Sequence, residues 1–301
     1  MTTLRRSALC LVLFSVPTLA AAARTYSDPS SAAEALVAAA RTGDVQAVVK
    51  VLGDKSKSFL VSGDAVADRA ALGRFVELYD RSHDVSGPDE TRRTLVIGED
   101  PWPFPIPIVK GKAGWAFDPK AGEAEILARR VGQNELDAIQ VCLGYVGAQR
   151  DYLERNPEGA SVPHYAERLL SAPGKKDGLS WASAPGEAES PMGPAVSGAI
   201  QEGYALKSGQ HAPYHGYRFR ILTAQGPNAE GGALDYREGG KLTRGFALVA
   251  YPATYGKSGV MTFLVNQAGV VLEKDLGPKT GSIAGAIKTF DPDASWTPAK
   301  P

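Results

Sequence analysis

Prolines at every second position constrain this chain more than any other feature. Residues 101–108 read PWPFPIPI, with Pro101, Pro103, Pro105 and Pro107 alternating with Trp102, Phe104, Ile106 and Ile108. No helix tolerates such a run, because each proline lacks an amide donor and its ring clashes with the preceding turn. An extended chain accepts it. Successive residues of a strand turn their N–H and C=O groups to opposite edges, so the four prolines all remove donors from one edge. Side chains sort the same way, with the large apolar groups on one face and the prolines on the other. The segment is therefore expected to pair along one edge only, through Trp102, Phe104, Ile106 and Ile108, and to block a partner on the other. A polyproline ligand would show PxxP spacing and would not gather Trp, Phe and two Ile on one face.

The flanking sequence sets the fold class. Ala32, Ala35, Leu36, Ala39 and Ala40 recur at helical spacing from about Ser31, and Gly43 stops them. Asp44 is placed to cap a second helix, faced by Val45, Val48, Val49 and Leu52 and ended by Gly53. A third helix is expected over 68–81, striped by Leu72, Phe75, Val76 and Tyr79. The period then changes to two, giving strands at 91–97, in the proline segment and at 114–117. A helix over 121–130 follows. A longer one is expected from Asn134 as its cap, with Leu136, Ile139, Leu143, Val146 and Leu153 inward and Asn156-Pro157 as its stop. Residues 174–216 read as a long irregular stretch. Strands return at 217–223, 245–251, 259–265 and 270–274, around a Gly-rich connection at 226–240, with a short helix near 282–288.

This order implies an α+β fold: N-terminal helices packed on a curved antiparallel sheet, then a long helix and a second antiparallel sheet. The expected division is 1–23, 24–130 and 131–301. Residues 1–23 carry Arg5 and Arg6, an apolar run over 8–16, Pro17 and small residues from Ala20 to Ala23. That is the pattern of a cleaved secretory signal, too short for a spanning helix. A periplasmic or secreted protein is expected, with no membrane span once the signal is gone. Its loss leaves 31 basic against 33 acidic residues, a net charge of −2. So balanced a surface argues against nucleic acid as a partner. Cys142 is then the one cysteine left, which excludes an internal disulfide and suits a structural thiol.

Chemistry is sparse. TYGKSG at 254–259 ends like a phosphate loop, but Tyr251 stands where the first Gly is needed and the context is strand–turn–strand. His211 and His215 lie four apart, with His164 conceivable as a third ligand, but Pro213 breaks the helix that would align the pair. Neither a metal nor a cofactor is expected. There is no G-x-S-x-G or S-x-x-K nucleophile. Tyr214, His215 and Tyr217 form an aromatic and polar cluster suited to lining a cleft. Arg130 and Glu135 flank the expected helix start, where an anion could sit. Asp118 and Glu123 are the acids that a pocket in the first half could hold.

The series WPFPIPIV, GWAFD, RRVGQNELDAI, AQRDY, GKKDGLSW, SPMGP, PYHGYRFRILTAQG and GFALVAYPATYGKSGVMTFLVNQAGVV resembles a bacterial exported family called domain of unknown function 2950, over residues 31–296. Ser180 departs from it, standing where an aromatic belongs. The family carries no established activity, so it implies no catalytic residues. The first half is similar to the NTF2-like cone, whose members often hold a small ligand between helices and sheet. The second half is similar to the globular part of type IV pilins and pseudopilins, without their membrane-anchoring helix or prepilin cleavage motif. Together these imply an exported envelope protein that acts as a non-catalytic binding or interaction module, with a small molecule or another envelope protein as partner. The alternatives are a hydrolase acting on an envelope component through Asp118 or Glu123, and a structural envelope protein with no ligand.

Overall fold

The computed structural model describes residues 24–87, 89–184, 186–195, 199, 204 and 213–300. The secretory segment and His211 lie outside them. The chain begins with α1 (Pro29–Arg41) and α2 (Val45–Leu52), each capped by an aspartate: Asp28 accepts from the Ser31 amide and Asp44 from the Gln46 amide. A 3-10 turn (Asp54–Ser56) and α3 (Lys57–Leu60) lead to α4 (Ala65–Arg81). This helix starts ahead of the expected position, because Asp64 caps it through the amides of Val66 and Ala67, at 3.1 and 3.0 Å.

The helices cover an antiparallel sheet of order β1-β2-β4-β5, with β3 paired to β2. Its strands are β1 (His83–Ser86), β2 (Arg92–Ile97), β3 (Trp102–Pro103), β4 (Ile108–Gly111) and β5 (Gly114–Phe117). Strand β1 was not legible, since HDVS shows no apolar alternation and is mostly exposed. The free edge of β5 is covered by Tyr26, whose backbone exchanges two hydrogen bonds with Trp115 at 2.8 and 2.9 Å. These bonds anchor the segment ahead of α1 to the sheet. Leu36, Leu52, Phe59, Leu95, Ile97, Ile106, Ile108 and Phe117 fill this first core.

The proline segment obeys the edge argument for half its length. Strand β3 pairs with β2 alone, and the Phe104 amide donates to the Leu95 carbonyl at 2.7 Å. The register then breaks: Val96 faces Pro103 while Arg93 faces Ile108. More chain on the proline side spans fewer β2 residues, so the segment bulges. Ile108 then opens β4, an inner strand between β2 and β5, which corrects the expected edge strand. The reason is the end of the proline pattern at Pro107, beyond which both edges have donors. Ile106 and Ile108 are fully buried, and Trp102 and Phe104 pack half-buried on the same core. Every peptide bond among the described residues is trans.

Helix α5 (Pro119–Arg155) is continuous over 37 residues, about 55 Å long. The break expected at 131–134 does not occur. The N-terminal part of α5 packs Ile126 and Leu127 on the first core. Its C-terminal part packs Ala138, Ile139, Cys142, Tyr145, Val146 and Tyr152 on a second. Tertiary packing on both sides carries the helix through the weak Gly132-Gln133-Asn134 stretch. The buried stripe also lies beside the expected one: Leu136 and Leu143 face out, 45% and 40% exposed.

The second sheet contains β6 (Tyr217–Leu222), β11 (Ala247–Pro252), β12 (Met261–Asn266), β13 (Leu272–Asp275) and β14 (Thr297–Pro298), in the order β14-β13-β12-β11-β6. Strand β11 is covered on both faces. Leu248 and Ala250 join the core shared with α5, while Ala247 and Val249 pack on Leu222, Leu264 and Phe290. That is why its sequence, ALVAYP, is apolar without alternation. The Gly-rich connection holds β7 (Ala224–Gln225), β8 (Leu234–Asp235), β9 (Arg237–Glu238) and β10 (Lys241–Leu242). Gly239 and Gly240, at φ +61° and +83°, form the two-residue turn between β9 and β10. Helix α6 (Thr280–Ala286) follows β13.

Candidate functional site

Five of the six candidate residues converge where the two cores meet. The loop before α4, the middle of α5, the turn before β6 and the turn between β11 and β12 come together there. Asp64 is at the centre. One carboxylate oxygen caps α4, and the other accepts from the Tyr204 hydroxyl at 2.9 Å and the Gly216 amide at 3.0 Å. Tyr204 and Gly216 are both buried. The Asn134 amide group donates to the Ser258 carbonyl at 2.8 Å. Gly216 lies so close to Asn134 that a side chain would collide with it, and a Cβ would come within 3.0 Å of Ser258 Cβ.

Arg130 donates to the carbonyls of Phe59 and Leu60, at 2.6 and 3.2 Å, and so caps the end of α3. Burial lowers its pKa, opposed by the charge of Asp68. Burial in turn raises the Asp68 carboxyl above the usual range, against the Ser62 hydrogen bonds and the charge of Arg130. Glu135 Oε1 accepts from the amides of Val260 and Met261, at 2.9 and 3.0 Å, tying α5 to β12. Tyr217 is fully buried, and its hydroxyl donates to the Met261 carbonyl at 2.9 Å. Burial pushes its pKa upward.

Tyr214 and His215 form the tight turn into β6. Tyr214 and Tyr217 exchange backbone bonds of 2.8 and 3.0 Å, with His215 and Gly216 at φ +47° and +75°. The His215 ring lies 4.2 Å from that of Tyr214, and its Nδ1 is 3.4 Å from Asp137 Oδ2. Asp118 is elsewhere, at the N-cap of α5, where it accepts from the Ala121 amide at 3.4 Å. Among the described residues no group of three or more His, Cys, Asp or Glu could hold a metal. His164 neighbours Tyr152 while His215 neighbours Asp137, roughly four turns and on the order of 20 Å apart along α5. Cys142 is fully buried, and burial pushes its thiol up to about 12.

No candidate residue lines either of two open clefts found among the described residues. One cleft, of about 460 Å³, lies between α1 and α4 beside Arg41, Arg69, Gly73 and Glu77. The other, of about 420 Å³, lies past the end of α5 and is lined by Ser161, Val162, His164, Glu238, Lys241 and Thr243. Behind it, Glu158 Oε1 is 2.8 Å from the Tyr152 hydroxyl and Oε2 accepts from Lys241 Nζ at 3.2 Å. Burial raises the Glu158 carboxyl, but those bonds and the Lys241 charge outweigh it and hold it below its ordinary value. His164 Nδ1 lies 3.0 Å from the Tyr165 carbonyl. A carbonyl only accepts, so Nδ1 carries the proton. Buried His164 Nε2 and Thr243 Oγ1 have no hydrogen-bond partner. In the sequence His164 suggests only a metal ligand, and the hairpin opposite it looks like a plain connection. REGGKL, two glycines between polar strand residues, was the signal that could have found that wall.

The model of a family described as a protein of unknown function, DUF2950, matches residues 23–299. No curated protein and no solved structure matches the chain.

Proposed function

The chain belongs to the DUF2950 family, and we propose that it is an exported envelope protein that works by binding, without catalysis. The secretory pattern of residues 1–23 supports the location. No helix among the described residues is long and apolar enough to cross a membrane.

The observation that carries the reading is the use made of the polar residues between the cores. Arg130, Glu135, Asn134 and Asp64 each bond to backbone groups of a different element at the junction, and Tyr217 bonds to a β12 carbonyl beside it. Such groups position elements against one another. A catalytic pair would instead converge on a space where a reacting atom could sit. Of the two acids a hydrolase in the first half would use, Asp118 caps α5 and Glu123 lies in the first turns of the same helix. The open clefts then remain as the surfaces available to a ligand.

The test is to incubate the purified protein with a bacterial envelope extract and follow both by mass spectrometry. The expected result is a molecule retained on the protein with its mass unchanged. Products that accumulate with time and with protein concentration would overturn the reading.

A further inference from the structure

Helix α5 turns an uncharged stripe to solvent. Gln133, Leu136, Gln140, Leu143, Gly144 and Gly147 lie on one helical face, and all are exposed. Leu136 and Leu143 are 45% and 40% exposed. A Cβ added at Gly144 or Gly147 would meet nothing within 4 Å, so packing within this chain needs neither glycine. Glycine inside a helix is destabilising relative to alanine. The solvent face of a helix ordinarily carries charged and polar side chains. Exposed leucines among glycines instead suit a second helix, packed at about 8–10 Å between axes.

Charge stands at both ends of the stripe. Glu125 pairs with Arg129 at 2.6 Å before it, and Asp151 with Arg155 at 2.6 Å after it. We propose that this face binds a second copy of the chain, as a two-fold dimer whose α5 helices run antiparallel about Gln140. Reversal about Gln140 sets Leu136 over Gly144 of the other copy and Gln133 over its Gly147. It also sets Arg129 against Asp151 and Glu125 against Arg155. Every one of these charges then meets an opposite charge across the seam as well as in its own helix. A parallel pair would set Arg129 on Arg129 and Asp151 on Asp151. Such self-complementarity is what a two-fold contact requires, and it is why a second copy fits the face. The basic groups are also held in place beforehand: Arg129 lies over the Trp102 ring at 4.6 Å, and Arg155 donates to the Glu189 carbonyl at 2.6 Å.

The experiment combines sedimentation equilibrium with oxidative cross-linking of the whole chain carrying Cys10→Ser, in which the remaining Cys142 is fully buried. The protein should dimerise at or below about 1 mM, the weak end of specific association. Gln140→Cys, on the two-fold axis, should give a covalent dimer under a mild oxidant. Gln133→Cys alone should not, because its two copies lie about 21 Å apart along the pair. Mixed with Gly147→Cys it should cross-link. Asp151→Arg should raise the dissociation constant about tenfold, and adding Arg129→Asp should restore it. Gly144→Ala, favourable to the dilute single chain, should weaken the dimer. A monomer at every concentration up to about 1 mM would overturn the proposal. So would cross-linking at Gln133 equal to that at Gln140, or a loss at Asp151→Arg that Arg129→Asp does not repair. Cross-linking of Gln140→Cys to another protein of an envelope extract, with no covalent dimer, would overturn it in favour of that partner.

Discussion

Replacing Asp64 by alanine should be among the most damaging single changes at a polar position of this protein. One oxygen of Asp64 caps α4 through the Val66 and Ala67 amides. Loss of such a cap costs about 0.5–2 kcal/mol. The other oxygen holds the Tyr204 hydroxyl and the Gly216 amide, both buried. Each group left unsatisfied costs about 1–3 kcal/mol. The groups share one network and their losses do not simply add, so a total of about 3–6 kcal/mol is expected. That is a large part of the roughly 5–15 kcal/mol that stabilises a typical domain. Asp64→Asn keeps the capping oxygen but turns an NH2 group toward the Gly216 N–H, and should cost about 1–3 kcal/mol. Urea unfolding followed by tryptophan fluorescence and circular dichroism measures both. A loss of about 1 kcal/mol for alanine, the cost of a cap alone, would refute the bridging role, as would an asparagine variant as stable as the parent.

Three further outcomes test the packing. Gly144→Ala, on an open face of α5, should raise stability by about 0.5–1 kcal/mol in thermal or urea unfolding. Gly122→Ala in the same helix should lower it by about 1–3 kcal/mol, because its Cβ would lie 2.8 Å from the Pro105 carbonyl oxygen and 2.9 Å from Ile106 Cα. In the chain beginning at Arg24, the Cys142 thiol, fully buried and held up to about 12, should stay inert to a thiol reagent at neutral pH until urea unfolds the second core.

What could be read from the sequence was local. Asp44 as a cap, Gly43 and Gly53 as stops and the apolar run of β11 each depend on neighbours a few residues away. The proline alternation placed its apolar face correctly. It could not show the bulge, which depends on how β2 and β4 meet. The expected stripe of α5 is right at Ile139 and Val146 and wrong at Leu136 and Leu143, which mimic a core face that the helix turns outward. Asn134 looked like a cap because its true partner, Ser258, is far along the chain. The same distance hid Asp64, whose partners are Tyr204 and Gly216. Tyr214, His215 and Tyr217 were legible as a cluster, but not their position between two cores. The His164 cleft draws its walls from the loop after α5 and from the β9–β10 hairpin, and no single stretch of sequence announces it.

The polar residues between the cores hold the fold together. The Gly216 amide reports on this directly, because its partner is Asp64 of the other core. Hydrogen exchange resolved at Gly216 measures how often that junction opens. Protection comparable to that of the β11 amides is expected, although Gly216 lies in a turn. Exchange as fast as at the exposed glycines Gly239 and Gly240 would contradict it.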